Sequence, residues 1–215
     1  KINNKTLLEY SIDLFKNIKQ IKKTIIVLNK RHNKYFKKIK IENCIKIYGG
    51  KNRQESVFKA LNKIKKLNCT KVLIHDVARP YPSNNLVRNI IFSLKRNHSV
   101  IPVISINDAT KISKKNNIIG NLKRENLKLA QTPQGFTFKK IFQKHLKNKN
   151  YLFNDDSALF VRDNEKVFTV KGEKNNFKIT DNEDLNNFKK LLKKNYYSGI
   201  GFDIHRLVKK RKLYL

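Results

Sequence analysis

The strongest constraint on the fold is a regular alternation between short apolar runs and stretches with helical periodicity. The apolar runs predict buried strands, and apolar residues spaced three and four apart predict the helices that cover them. Repeated strand–helix units predict an α/β fold with a mostly parallel sheet covered by helices on both faces. The predicted strands span residues 25–28, 45–48, 72–74, 100–106 and 167–170. The predicted helices begin after Thr6, Gly50, Ser83, Thr137, Asp155 and Asp181.

Residues 108–130 interrupt this alternation. Their pattern indicates two short strands around a turn at 114–117, with no helix between them. Because a parallel sheet grows by strand–helix units, two strands in succession indicate a separate feature. We therefore expect a β-arm inserted into the α/β fold.

The net charge of +33 arises from 49 basic and 16 acidic residues among 215. A charge of this size is typical of polyanion binding, so a non-enzymatic, basic nucleic-acid-binding protein is one hypothesis. The basic set, however, is 40 Lys and 9 Arg, and the lysines are spread along the whole chain. Lys, Asn and Ile are all frequent, as a base bias toward A/T-rich codons would produce. We therefore expect mostly solvated surface charge and no specific nucleic-acid partner.

No apolar run approaches the length of a membrane span, and no secretory signal opens the sequence. Two cysteines, Cys44 and Cys69, do not make a disulfide framework, so we expect a reducing, cytoplasmic setting. The sequence contains no Met and begins with Lys1. We expect a processed chain or a piece of a longer reading frame.

Polar residues that could bind a ligand follow the predicted strands, where ligands of α/β proteins bind. Gly49 and Gly50 link a strand to a helix, which lets a backbone approach a ligand, and Ser56 adds a hydroxyl. The alternative is an ordinary tight turn. Asp76 and Arg79 follow the strand 72–74, where they could hold a substrate or simply pair within the loop.

Three further groups could bind an anion: Arg124 in the arm, Thr132 after it, and Lys178 before the last helix. The sequence contains no Ser-His-Asp order, no metal-ligand spacing in its main body and no Walker-type loop. Basic, hydroxyl and carboxylate groups at strand ends favour phosphorylated substrates and phosphoryl or nucleotidyl transfer.

Taken together, these motifs resemble the 2-C-methyl-D-erythritol 4-phosphate cytidylyltransferase family, over about residues 2–192. In order, the motifs are Gly49-Gly50-x-x-Arg53-x-x-Ser56-Val57, His75-Asp76-Val77-Ala78-Arg79-Pro80, Gln131-Thr132-Pro133-Gln134, Asp155-Asp156 and Phe177-Lys178-Ile179-Thr180. The resemblance implies a Rossmann-like nucleotidyltransferase fold. Another cytidylyl or sugar-nucleotide transferase of the same architecture is the alternative.

The end of the chain resembles a second family. Gly201-Phe202-Asp203-Ile204-His205-Arg206 is similar to the opening of 2-C-methyl-D-erythritol 2,4-cyclodiphosphate synthases, in which an Asp-x-His pair binds zinc or another divalent metal. Alternate residues of a strand share a face, so Asp203 and His205 could share a ligand. We expect a cytidylyltransferase domain over 1–195 and the start of a synthase domain over 196–215, as in the bifunctional enzymes.

The resemblance implies transfer of CMP from CTP, which carries Mg²⁺, to methylerythritol phosphate with release of pyrophosphate. It places Gly49, Gly50, Ser56 and Val77 near the nucleotide. It places Asp76, Arg79, Thr132 and Asn154 near methylerythritol phosphate, and it makes Arg124 and Lys178 the catalytic residues.

The family's arm crosses to a second subunit, so the resemblance implies a homodimer in which Arg124 serves the partner's site. Two positions depart from the family pattern: Ala109 and Asn154 stand where Thr is common. The family's N-terminal Gly-rich loop has no match before Lys1, and the metal ligands of the tail are incomplete. We expect weak or no transferase activity from the chain by itself.

Overall fold

The computed structural model describes residues 1–36 and 44–193, and these form an α/β structure. Its strands are β1 (Thr24–Leu28), β2 (Cys44–Tyr48), β3 (Lys71–Ile74), β4 (Ser99–Ser105), β5 (Thr110–Lys114), β6 (Asn117–Leu122), β7 (Lys128–Ala130), β8 (Gln134–Thr137) and β9 (Phe168–Lys171). Its helices are α1 (Leu7–Lys16), α2 (Asn33–Phe36), α3 (Arg53–Ile64), α4 (Asn84–Ser93), α5 (Phe138–Lys147), α6 (Ala158–Arg162) and α7 (Asn182–Leu191). The predicted α/β class is confirmed.

The strands form two sheets and a hairpin. Strands β1 and β2 pair in parallel, from Thr24 opposite Cys44 to Leu28 opposite Tyr48. The larger sheet has the order β3-β8-β4-β7, and β9 pairs in parallel with β4. Strands β3 and β4 both run antiparallel to β8, so β3, β4 and β9 share one direction.

Strands β7 and β8, which the sequence pattern did not predict, both pair with β4 and run antiparallel to it. Between them, the Gln131 N–H still donates to the Pro102 carbonyl at 2.8 Å. The chain departs from regular pairing at Thr132 and Pro133. This interruption places Thr132 beside the end of β3, where the candidate site lies.

Hydrogen bonds to N-cap side chains explain where several helices begin. Thr6 and Glu9 form the predicted capping box at α1. Ser83 accepts from the Leu86 N–H at α4, and Asp181 accepts from the Asp184 N–H at α7. These short-range hydrogen bonds fix the helix starts that the sequence predicted.

Successive side chains of β3 point to opposite faces of the sheet and pack in different parts of the core. Val72 packs with the cluster of Leu61, Ile141 and Phe160, which belongs to α3, α5 and α6. Its neighbour Leu73 packs with the clusters around α4. Helices therefore cover both faces, as predicted. None of the helices in the described residues combines the length and apolarity of a membrane span.

Strands β5 and β6 form the predicted arm, an antiparallel hairpin with an irregularity at Ile112 and Ser113. The arm carries exposed apolar side chains at Ile112, Ile118, Ile119 and Leu122. A short 3₁₀ helix, Arg124–Asn126, connects it to β7. The arm therefore offers an apolar surface away from the core.

Candidate functional site

Asp76 lies at the centre of a cluster of polar groups after β3. Its backbone N–H donates to the Thr132 hydroxyl at 3.1 Å. Its carboxylate lies 3.6 Å from Arg53 Nε and 3.6 Å from Lys178 Nζ, with one oxygen toward each cation. The structure thus brings together Asp76, Thr132 and Lys178, which the sequence placed at three separate strand ends.

His75 fixes the direction of the Thr132 hydroxyl. The His75 ring packs edge-on against Phe15, and its Nε2 lies 2.9 Å from the Arg79 carbonyl, an acceptor, so Nε2 carries the proton. Burial lowers the pKa of His75 to about 4, so the ring is neutral at pH 7 and Nδ1 accepts from Thr132 at 3.1 Å. The Thr132 hydroxyl donates to His75 and accepts from Asp76. A ligand can therefore only donate to it, as a substrate hydroxyl would.

Arg79 holds the loop that carries Lys178. Its Nη1 donates to the Asn176 carbonyl at 2.9 Å, and its Nη2 donates to the Ala130 carbonyl at 3.4 Å. Burial lowers the pKa of Arg79, against the opposing charge of Asp76. The Ile179 N–H donates to the Ala78 carbonyl at 2.8 Å and fixes the same loop from the other side. Both terminal nitrogens of the Arg79 guanidinium therefore donate to backbone carbonyls.

A tight turn joins β2 to α3. The Ser56 hydroxyl donates to the Asn52 carbonyl at 2.8 Å and accepts from the Gly50 N–H at 3.0 Å. A Cβ built on Gly49 would lie 2.6 Å from the Ser56 Oγ. The turn therefore requires a residue without a side chain at Gly49, and it encloses the Ser56 hydroxyl.

Sequence reasoning missed a chain of polar contacts behind Asp76 that runs from the partly exposed Arg53 to the buried Asp156 and His145. Arg53 Nη2 lies 2.8 Å from Asp156 Oδ2, and the other Asp156 oxygen accepts from His145 Nε2 at 3.0 Å. Burial opposes the charge of Arg53, but Asp156 and Asp76 more than compensate and raise its pKa. Arg53 and Asp156 stand in the motifs of the sequence, yet nothing in their spacing shows that they pair.

The other predicted residues lie around this cluster or away from it. Val77 is exposed, and its carbonyl lies 3.4 Å from the Ser11 hydroxyl that donates to it. Asn154 is exposed in the loop before Asp155. Arg124 lies at the base of the arm, where its Nη1 donates to the Asn107 carbonyl at 2.8 Å. It lines a pocket of about 210 Å³ together with Ala109 and other arm residues.

The sequence model for 2-C-methyl-D-erythritol 4-phosphate cytidylyltransferase matches residues 1–194. The chain belongs to this family. The matched range contains Asp76, Thr132 and Lys178, the groups that meet after β3. The family match therefore includes the residues of the described site.

Named relatives and solved structures support the assignment of the chain to the cytidylyltransferase family. The chain is 46% identical over 211 residues to the bifunctional enzyme IspD/IspF of Pelagibacter ubique, covering 98% of this chain and 55% of that one. It is 32% identical over 200 residues to a 2-C-methyl-D-erythritol 4-phosphate cytidylyltransferase of Clostridioides difficile, covering 89% and 84%. The chain spans about half the length of the bifunctional relatives that it matches.

The crystal structure of a 4-diphosphocytidyl-2C-methyl-D-erythritol synthase from Anaerococcus prevotii superposes with a TM-score of 0.81. It is 30% identical and covers 89% of this chain and 88% of its own. The predicted Rossmann-like nucleotidyltransferase architecture is thereby confirmed.

Two predicted metal ligands, Asp203 and His205, lie outside the described residues, as does the predicted boundary at 195–196. Within residues 1–36 and 44–193, no three His, Cys, Asp or Glu side chains form a group that could hold a metal ion. The zinc site remains a prediction from the sequence.

Proposed function

We propose that this cytidylyltransferase domain, within the complete protein, transfers CMP from CTP to 2-C-methyl-D-erythritol 4-phosphate. A phosphate oxygen of the acceptor attacks the α-phosphorus of CTP, and the bond to the bridging oxygen of the β-phosphate breaks. Pyrophosphate leaves with the electron pair of that bond. Because no covalent enzyme intermediate is needed, the protein has to orient two anions and stabilise the developing charge.

The observation that carries the proposal is the meeting of Asp76, Thr132 and Lys178. A carboxylate and an acceptor-only hydroxyl suit the hydroxyl groups of a polyol. The half-exposed ammonium of Lys178 suits its phosphate, which it would orient for attack. The proposed acceptor site also includes Arg79 and Asn154.

The proposed nucleotide site lies at the turn before α3, with Gly49, Gly50, Ser56 and Val77 near the cytidine. Gly49 lets the turn close around Ser56, whose hydroxyl is fixed between the Gly50 N–H and the Asn52 carbonyl. CTP would enter as its Mg²⁺ complex, so the metal is part of the substrate. Cys44 and Cys69 are free thiols, in keeping with a reaction in the cytoplasm.

The proposal includes a homodimer formed through the β-arm. Its support is the apolar surface that Ile112, Ile118 and Ile119 expose on the arm. Arg124 contacts the Asn107 carbonyl and Glu125 at the arm base, so a role in its own subunit's Asp76 cluster has no support. Arg124 would instead neutralise charge in the partner's site.

The names of the bifunctional relatives support a second proposed activity, a cyclodiphosphate synthase in the complete protein. Asp203 and His205 would bind zinc or a similar divalent ion there. That activity is separate from the transferase site described above.

The transferase is tested by pyrophosphate release from CTP in the full-length protein. Methylerythritol phosphate should be used in strong preference to other phosphorylated sugars and polyols. A better reaction with another acceptor would reassign the substrate within the nucleotidyltransferases. No release with any acceptor, together with tight salt-sensitive RNA or DNA binding, would favour a nucleic-acid-binding protein.

A further inference from the structure

Asp156 is a buried carboxylate that is linked to the candidate site through Arg53. Its side chain is 2% exposed, and it lies in the loop before α6. One oxygen accepts from His145 Nε2 at 3.0 Å, and the other lies 2.8 Å from Arg53 Nη2. His145 is itself fully buried and stacks on Phe58 of α3, 6.2 Å between ring centroids. The position of Asp156 is therefore set by the core.

Arg53 is shared between two carboxylates at unequal distances. Its Nη2 contacts Asp156 at 2.8 Å, whereas its Nε lies 3.6 Å from Asp76 Oδ1. A guanidinium can bind one carboxylate with two parallel hydrogen bonds when nothing else holds it. The shorter contact with Asp156 keeps Arg53 from pairing fully with Asp76.

We propose that Asp156 is a positioning residue, which holds Arg53 away from Asp76 so that an Asp76 oxygen stays available to the acceptor substrate. His145 in turn holds Asp156. The role assigned to Asp76 rests on the proposed function, whereas the role of Asp156 toward Arg53 rests on the geometry. A buried pair with only a structural role would stabilise α3 against α6 and leave substrate binding unchanged.

The consequence for binding is specific to one substrate. When Asp156 loses its charge, Arg53 is free to turn and pair with Asp76. Each Asp76 oxygen already faces a cation at 3.6 Å, Arg53 on one side and Lys178 on the other, and the Arg53 contact would then shorten to a hydrogen bond. The acceptor loses a hydrogen-bond partner, while the turn proposed to bind CTP keeps its own contacts between Gly50 and Ser56.

The kinetic test uses Asp156→Asn in the full-length enzyme. The KM for methylerythritol phosphate should rise about tenfold, with the KM for CTP changed less than about twofold. In an Arg53→Gln background, Asp156→Asn should have no further effect on the acceptor KM. Equal KM values in Asp156→Asn and wild type, or additive effects of the two substitutions, would overturn the proposal.

The matched control is Asp163→Asn. Asp163 is another carboxylate paired with cations, 2.5 Å from Lys144 and 3.3 Å from Lys147, and it lies at the end of α6. We expect lower thermal stability in this variant with unchanged KM values. If Asp156→Asn fails to fold, Arg53→Lys serves instead, because one ammonium cannot span both carboxylates and, held by Asp156, it leaves Asp76 free. The acceptor KM should change by less than about twofold, and a rise of about fivefold or more would overturn the proposal.

A crystal structure of Asp156→Asn tests the positioning independently of activity. The Arg53 guanidinium should move to hydrogen-bond distance from Asp76, within about 3.2 Å. An Arg53 that stays where it is now would overturn the proposal even if the KM rises. If the wild-type enzyme shows no transfer but Arg53 moves in the variant, the proposed function fails and the positioning role of Asp156 stands.

Discussion

Lys178 illustrates how position raises the importance of one lysine among 40. The loop from Asn176 to Ile179 is held by Arg79 and by the Ala78 carbonyl, and it brings the Lys178 ammonium to 3.6 Å from Asp76. A cation fixed in this way can stabilise charge on a transferring phosphoryl group, whereas a freely solvated lysine contributes little.

We therefore predict that Lys178→Ala in the full-length enzyme lowers kcat by about 10²-fold or more, as expected for a lost charge stabiliser. Arg124→Ala should lower it by a similar factor. Lys189→Ala is the control, because Lys189 contacts Asn186 on the exposed side of α7. Steady-state pyrophosphate release measures all three. Wild-type turnover in Lys178→Ala would remove the residue from the mechanism.

His75 gives the domain a pH-dependent stability. Its pKa is lowered to about 4 by burial, whereas an unfolded histidine titrates near 6.5. The neutral ring therefore contributes stability that is fully present above about pH 6.5 and is lost as the pH falls toward 4. Protonation would place a second cation beside Arg79 and end acceptance from Thr132.

From pH 7 to pH 5, we predict a loss of about 2 kcal/mol in the free energy of unfolding that is due to His75. Urea unfolding of wild type and His75→Gln at both pH values isolates this loss, because every other titrating group is common to the two proteins. Equal pH dependence in the two proteins would show that His75 titrates normally.

At the scale of elements, the turn between β2 and α3 depends on contacts too close for a side chain. A Cβ on Gly49 would lie 2.6 Å from the Ser56 Oγ and 3.2 Å from Val27 Cγ1. Gly49→Ala should displace Ser56, break its hydrogen bond with the Gly50 N–H and destabilise the domain by about 1–3 kcal/mol. Because this turn is proposed to bind the nucleotide, the KM for CTP should rise as well.

Gly120→Ala in the arm is the matched control for this prediction. The atom nearest to a Cβ there would be Ile112 Cδ1 at 3.4 Å, an ordinary contact. Its effect on stability should stay within about 0.5 kcal/mol. Thermal and urea unfolding of both variants compare the two positions. If Gly49→Ala proves as stable as Gly120→Ala, the turn tolerates a side chain at position 49 and the prediction is wrong.

The elements differ in how far the sequence could predict them. Helices α1, α4 and α7 were predictable because Thr6, Ser83 and Asp181 cap them through hydrogen bonds to residues three positions on. Strands β7 and β8 were not, because each is short and is held by pairing with strands far away in sequence. The local sequence pattern does not show with which distant strand each of them pairs.

The same distinction applies to the candidate site. The positions of Asp76, Thr132 and Lys178 followed from the rule that ligands bind beyond strand ends. The pairing of Arg53 with Asp156 did not, because it joins residues of α3 and the loop before α6 through tertiary packing alone. Sequence reasoning thus found Asp76, Thr132 and Lys178, which meet after β3. It missed the pair of Arg53 and Asp156 behind them.

At the scale of the whole molecule, the proposed exchange of arms would decide whether one subunit can complete its own site. Arg124 lies at the arm base and contacts Asn107, whereas Lys178 lies beside Asp76. If arms exchange between subunits, each active site combines Lys178 of one chain with Arg124 of the other. Activity would then depend on dimerisation as well as on each residue.

Mixing Arg124→Ala and Lys178→Ala subunits tests this arrangement in the full-length enzyme. A mixed dimer would contain one site with both residues intact and one with neither. Random exchange makes about half of the dimers mixed, so the mixture should regain about a quarter of wild-type activity from two nearly inactive parents. Each parent incubated alone is the control. If Arg124 serves its own subunit, every site lacks one residue and mixing restores nothing, so an inactive mixture of proven mixed dimers would remove the exchanged arm from the proposal.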